Sequence, residues 1–150
     1  MFLLAVAILI SSEISSISLT TEESLKNVLE KAWQGHLLAC ASGKESEVAK
    51  TLSAHRLRTI KNNMISARLT LTEEAIKGMN DSVPEHSKLI KVMQNGPTAG
   101  LLYIKDVEET DSGKKPRVTF IFLKFVKEAT GWKVDLEKTF ETNPTTQLMF

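Results

Sequence analysis

The sequence predicts an α+β fold, with N-terminal helices packed on a curved antiparallel sheet of about four strands. Three observations carry this expectation. Between Leu89 and Phe140, four strand-like runs follow one another, separated by turn signals at short intervals. Upstream, from Leu25 to Met79, apolar residues recur instead at helical spacing. The two middle strand runs are apolar on both faces, so the sheet needs cover on both sides.

The first element is an unbroken apolar run from Met1 to Ile10, followed by a Ser-rich passage to Ser18. It is too short to cross a bilayer as an ordinary helix, which takes about 20 apolar residues. It fits the apolar centre of a secretory signal peptide over residues 1–18, with small residues at Ser16 and Ser18 marking cleavage before Leu19. No Lys or Arg precedes Lys26, so the basic start of such a signal is missing, and a buried or interfacial N-terminal segment is the other reading. The expected location is extracytoplasmic, either periplasmic or secreted, with residues 19–150 forming one domain.

Thr20 and Glu23 have capping-box spacing, placing a helix start there. Leu25, Val28, Leu29, Ala32, Trp33 and His36 then mark an amphipathic helix that should end near Ser42-Gly43. A second helical piece starts at Glu45, and a shift in the phase of its apolar stripe predicts a break near Ser53. Thr70 to Glu73 repeats the capping spacing before a short helix through Ala75, Ile76 and Met79, stopped by Asn80 to Pro84.

The strand runs are Leu89–Met93, Ala99–Ile104, Val118–Val126 and Trp132–Glu137. Asn95-Gly96 is a hairpin signal, with Pro97 leaving a tight turn or a longer loop open. In the third run Phe120 and Phe122 share one face and Ile121, Leu123 and Phe125 the other. The fourth alternates, with Trp132, Val134 and Leu136 on one face and Lys133, Asp135 and Glu137 on the other. Helices can cover one side of the sheet; a partner subunit, giving a homodimer, or a folded-over tail can cover the other.

The order of elements, and the stretch from Phe125 through Gly131-Trp132-Lys133-Val134, resembles the nuclear transport factor 2-like superfamily, especially its small exported bacterial members of unassigned role. The resemblance implies a cone-shaped domain with a pocket between helices and sheet, often a dimer through the sheet, and either no catalysis or isomerase- or dehydratase-like chemistry. Such enzymes work with carboxylates or histidines buried in the cone.

The inward positions here are mostly apolar. The candidate ligand-binding residues are Trp33, His55, Tyr103, Phe122, Lys124 and Trp132, and none is assigned a catalytic role. The two tryptophans could wall a cavity or simply fill the core. Lys124 breaks an apolar face, as a pocket cation or a side chain snorkelling to the rim. His36 and His55 lie on apolar helix stripes, where a hydrogen-bonded structural histidine is the plainer reading. His86 lies in a loop, and Asp106 belongs to a charged loop cluster. The single Cys40 forms no intramolecular disulfide and reads as a buried helix cysteine.

Three scattered histidines and one cysteine lack metal-ligand spacing, no Gly-rich phosphate loop occurs, and no cofactor is implied. A formal charge of +1 gives no reason to expect nucleic acid as a partner. The expected function is non-catalytic binding of a small apolar ligand or a protein partner. The alternative is a small isomerase- or dehydratase-like enzyme using His55, Lys124 or Tyr103 in a conical pocket.

Overall fold

Four helices precede an open four-stranded antiparallel sheet in the order β1-β2-β3-β4. The computed structural model describes residues 2–79, 87–105, 118–141, 144 and 148, with side chains from residue 21. His86, Asp106 and the stop at Asn80 to Pro84 lie outside the described residues.

Helix α1 runs unbroken from Phe2 to Ala41. Thr20 is therefore inside the helix and does not cap it, contrary to the expected helix start. A cap needs non-helical backbone at its own position, and once a helix exists each added residue gains a hydrogen bond for one more fixed residue. The C-terminal stop falls where expected: Gly43 takes φ 68°, and its N–H bonds the carbonyl of Cys40 at 2.9 Å. Among the described residues no helix is long and apolar enough to cross a membrane.

The expected break at Ser53 separates α2 (Glu45–Thr51) from α3 (Ala54–Ala67). Between them Leu52 is extended and forms a parallel bridge to Val134, and the Ser53 N–H bonds the Val134 carbonyl at 2.9 Å. Ser53 also caps α3, its Oγ accepting from the Arg56 N–H at 3.0 Å. Helix α4 (Glu73–Gly78) is capped by Thr72, two residues after the expected Thr70. Both threonines precede the helix, and the one whose hydroxyl reaches the Ala75 N–H decides its start.

Strands β1 (Ser87–Asn95) and β2 (Thr98–Lys105) meet at a two-residue Gly96-Pro97 turn, with Gly96 at φ 56°. Strands β3 (Thr119–Glu128) and β4 (Gly131–Phe140) complete the sheet. On one face, Leu101, Ile121, Leu123 and Phe125 pack with Leu29, Trp33 and Cys40 of α1, and Val48 of α2, Ile76 of α4 and the extended Leu52 join them. On the other, Leu102, Phe120 and Phe122 are buried beneath Met93, Ile104, Phe140 and Leu148. Pro144 is fully buried and its carbonyl accepts from the Leu148 N–H at 2.9 Å. Among the described residues, this second apolar face is thus packed by strand residues Met93, Ile104 and Phe140 and by Leu148.

One feature of β4 departs from its sequence pattern. Phe125 pairs with Val134 but Lys124 pairs with Leu136, so Asp135 is the extra residue of a bulge. A one-residue slip sends every later side chain to the opposite face. Leu136 therefore leaves the face of Val134, and Glu137, opposite Leu123, turns towards the helices.

Candidate functional site

The inverted half of β4 forms one wall of a cavity of about 320 Å³, within the range that holds small ligands (about 300–1,000 Å³). Its apolar surface comes from Leu52, Ile60, Met79 and Val134. Its polar groups are His36 from α1, Arg56 from α3, and Glu137 and Thr139 from β4. The Ser53 hinge and the Asp135 bulge assemble it: the first aims α3 across the sheet edge, and the second turns Glu137 and Thr139 inward.

Those two devices are themselves joined. The Ser53 hydroxyl donates to Asp135 Oδ1 at 2.5 Å, and Lys124 Nζ lies 3.4 Å from Asp135 Oδ2. Ser53 is 1% exposed and Asp135 8%, so this is a buried bridge between the α3 cap and the β4 bulge.

His36, 5% exposed, lies in a hydrogen-bond chain whose direction can be assigned. The Thr51 hydroxyl donates to the Val48 carbonyl at 2.7 Å, so its oxygen accepts the 2.8 Å bond from His36 Nδ1–H. Nε2 is then the bare nitrogen, and it accepts from the Cys40 thiol at 3.6 Å. Burial, and then the Arg56 charge, lower the His36 pKa to about 4; burial, and then the Glu137 charge, raise that of the thiol. Imidazole and thiol are both neutral at pH 7. The pair is no thiolate nucleophile, and both ring nitrogens of His36 are occupied.

Two buried side-chain atoms have no hydrogen-bond partner among the described residues, Trp33 Nε1 and Glu137 Oε1. Such atoms are rare and costly in folded proteins, and Glu137 lines the cavity. Arg56 forms no ion pair among the described residues. No cluster of three metal-ligating side chains occurs among the described residues.

The six sequence candidates do not converge. Trp33 is buried beside His36, with ring centroids 5.4 Å apart, as core rather than cavity lining. Tyr103 packs on the same helix-facing core and donates to Glu30 Oε1 at 3.4 Å; burial, and then the Glu30 charge, raise its pKa, which keeps it neutral. Trp132 lines a separate groove of about 400 Å³ with Leu25 and Val28 of α1, and Lys127 sits over its ring at 5.8 Å. Phe122 lies on the opposite face of the sheet, under Leu148. Lys124 pairs with Asp135 rather than entering the cavity. His55, in the first turn of α3, is exposed.

The cavity is lined by His36 and not by the candidate His55, and Arg56, Glu137 and Thr139 line it without being among the sequence candidates. Both histidines lie on apolar stripes, but only the stripe of α1 stays buried through His36 to Cys40. Glu137 carried no local signal, because its inward position depends on pairing with β3.

No protein-family model, curated protein or solved structure matches this chain significantly.

Proposed function

We propose that this chain is a non-catalytic binding domain that seats a small amphipathic ligand in the cavity between α1, α3, α4 and β4. The observation that carries the reading is the cavity itself, with apolar walls and a few convergent polar groups. The neutral, fully engaged His36 and Cys40 support binding over catalysis. We further propose that it is an exported member of the nuclear transport factor 2-like superfamily. The apolar run Met1–Ile10 and the helices-then-meander layout support this. The reading does not depend on a partner subunit: the cavity lies on the helix side of the sheet, and Phe140 and Leu148 pack against the other side. Native mass spectrometry of the intact chain, purified without denaturation, tests it. A monomer mass with a small-molecule increment is expected; a bare chain that also takes up no small amphiphile overturns it.

A second reading, an isomerase- or dehydratase-like enzyme, rests on Glu137. Glu137 lines the cavity and its Oε1 is buried without a donor, shielded from water as a carbon-acid base would be. Its test is deuterium uptake from D2O into the carbon skeleton of whatever ligand co-purifies, by the natural chain but not by Glu137→Gln. No uptake by the natural chain rules it out.

A further inference from the structure

The cavity presents two opposite charges that do not satisfy each other. Glu137 Oε1 is buried with no donor, and Arg56 has no carboxylate partner among the described residues. Both line the cavity with His36, the Arg56 charge acting on the His36 imidazole and the Glu137 charge on the Cys40 thiol. Because that pair is neutral and its hydrogen bonds are complete, it competes for neither charge. Apolar Leu52, Ile60 and Val134 complete the walls.

We infer that the ligand is a small zwitterion with a hydrocarbon part, in the class of free apolar α-amino acids, its ammonium on Glu137 and its carboxylate on Arg56. This rests on the binding-domain reading above and narrows it. A simple anion would leave Glu137 unpaired and add a repelling charge, and a simple cation would do the same to Arg56. A neutral apolar molecule would bury both charges further with no partner, the costliest arrangement for a desolvated group. A guanidinium offers a carboxylate two parallel donors, which fixes orientation as well as charge. Size agrees: at about 30 Å³ per water-sized group, the 320 Å³ cavity takes a molecule of about ten such groups, the size of leucine.

Isothermal titration calorimetry of the full chain tests this, with L-leucine, N-acetyl-L-leucine, 3-methylbutylamine and 4-methylpentanol as probes. L-leucine should bind tightest. Masking its ammonium by acetylation, or removing its carboxylate in the amine, should weaken binding about 10- to 100-fold, the usual effect of losing a charged hydrogen bond. Glu137→Gln should remove the preference for leucine over its N-acetyl form while leaving the circular dichroism spectrum unchanged. Arg56→Gln should remove the preference for leucine over the amine. If the neutral alcohol binds as well as leucine, or the Glu137→Gln variant keeps the ammonium preference, the zwitterion is wrong and the binding domain stands. If no probe binds, both fail.

Discussion

Substituting Asp135 by Ala tests how the cavity is built. Its carboxylate accepts from the Ser53 hydroxyl at 2.5 Å, and both groups are buried. A hydrogen bond to a charged group contributes about 1.5–3 kcal/mol, and a buried hydroxyl left without its acceptor costs about 1–3 kcal/mol. The Lys124 contact adds little, because that side chain is 32% exposed and the 3.4 Å pair is partly screened. Asp135→Ala should therefore cost roughly 3 kcal/mol. At about 3 °C per kcal/mol for a chain of this size, that lowers Tm by roughly 6–12 °C. Ser53→Ala loses the same bond plus a helix cap worth about 1 kcal/mol. Thermal and urea unfolding of both single variants and the double variant should then give a coupling of at least about 1.5 kcal/mol. If the two substitutions add within about 0.5 kcal/mol, the bridge is not coupling the α3 cap to the β4 bulge.

Three further outcomes follow from other sites. His36 has a folded pKa of about 4 against an unfolded 6.5, so the unfolded state binds more protons between these values. The His36 contribution should be constant above pH 6.5 and fall by about 3 kcal/mol as pH drops to 4; equilibrium unfolding should show that loss in the natural chain and not in His36→Gln. Cys40 is fully buried and its thiol pKa is raised. Labelling by a thiol reagent should therefore track global unfolding, and rapid labelling of the folded chain would contradict the neutral Cys40–His36 pair. Leu148→Asp should uncover Leu102, Phe120 and Phe122, giving a concentration-dependent shift towards larger species than the natural chain in analytical ultracentrifugation; an unchanged sedimentation profile would show that Leu148 is dispensable on this face.

The helix and strand layout was legible because it depends on local periodicity and punctuation. Four strand runs, the stop at Gly43 and the break at Ser53 all appear where apolar spacing or turn residues placed them. The site was less legible, because it depends on register. The alternation from Trp132 to Glu137 is regular in sequence, yet the bulge at Asp135 divides it between two faces and puts Glu137 in the cavity. That Lys124 and Phe122 lie outside the cavity was illegible for a related reason: a strand apolar on both sides does not reveal which side meets the helices. The apolar second face pointed to a partner subunit or a folded-over tail; among the described residues, Phe140 at the end of the last strand and Leu148 beyond it pack there.

The proposed ligand site lies between α1, α3, α4 and β4. Methyl-resolved NMR of the intact chain titrated with 4-methylpentanol at millimolar concentration tests it without invoking ligand charge. The account predicts intermolecular NOEs from the probe to the methyl groups of Leu52, Ile60, Met79 and Val134, lost when Ile60→Trp fills the cavity. NOEs to Leu102 and Leu148, or to Leu25 and Val28 beside Trp132, would place the ligand elsewhere and contradict it.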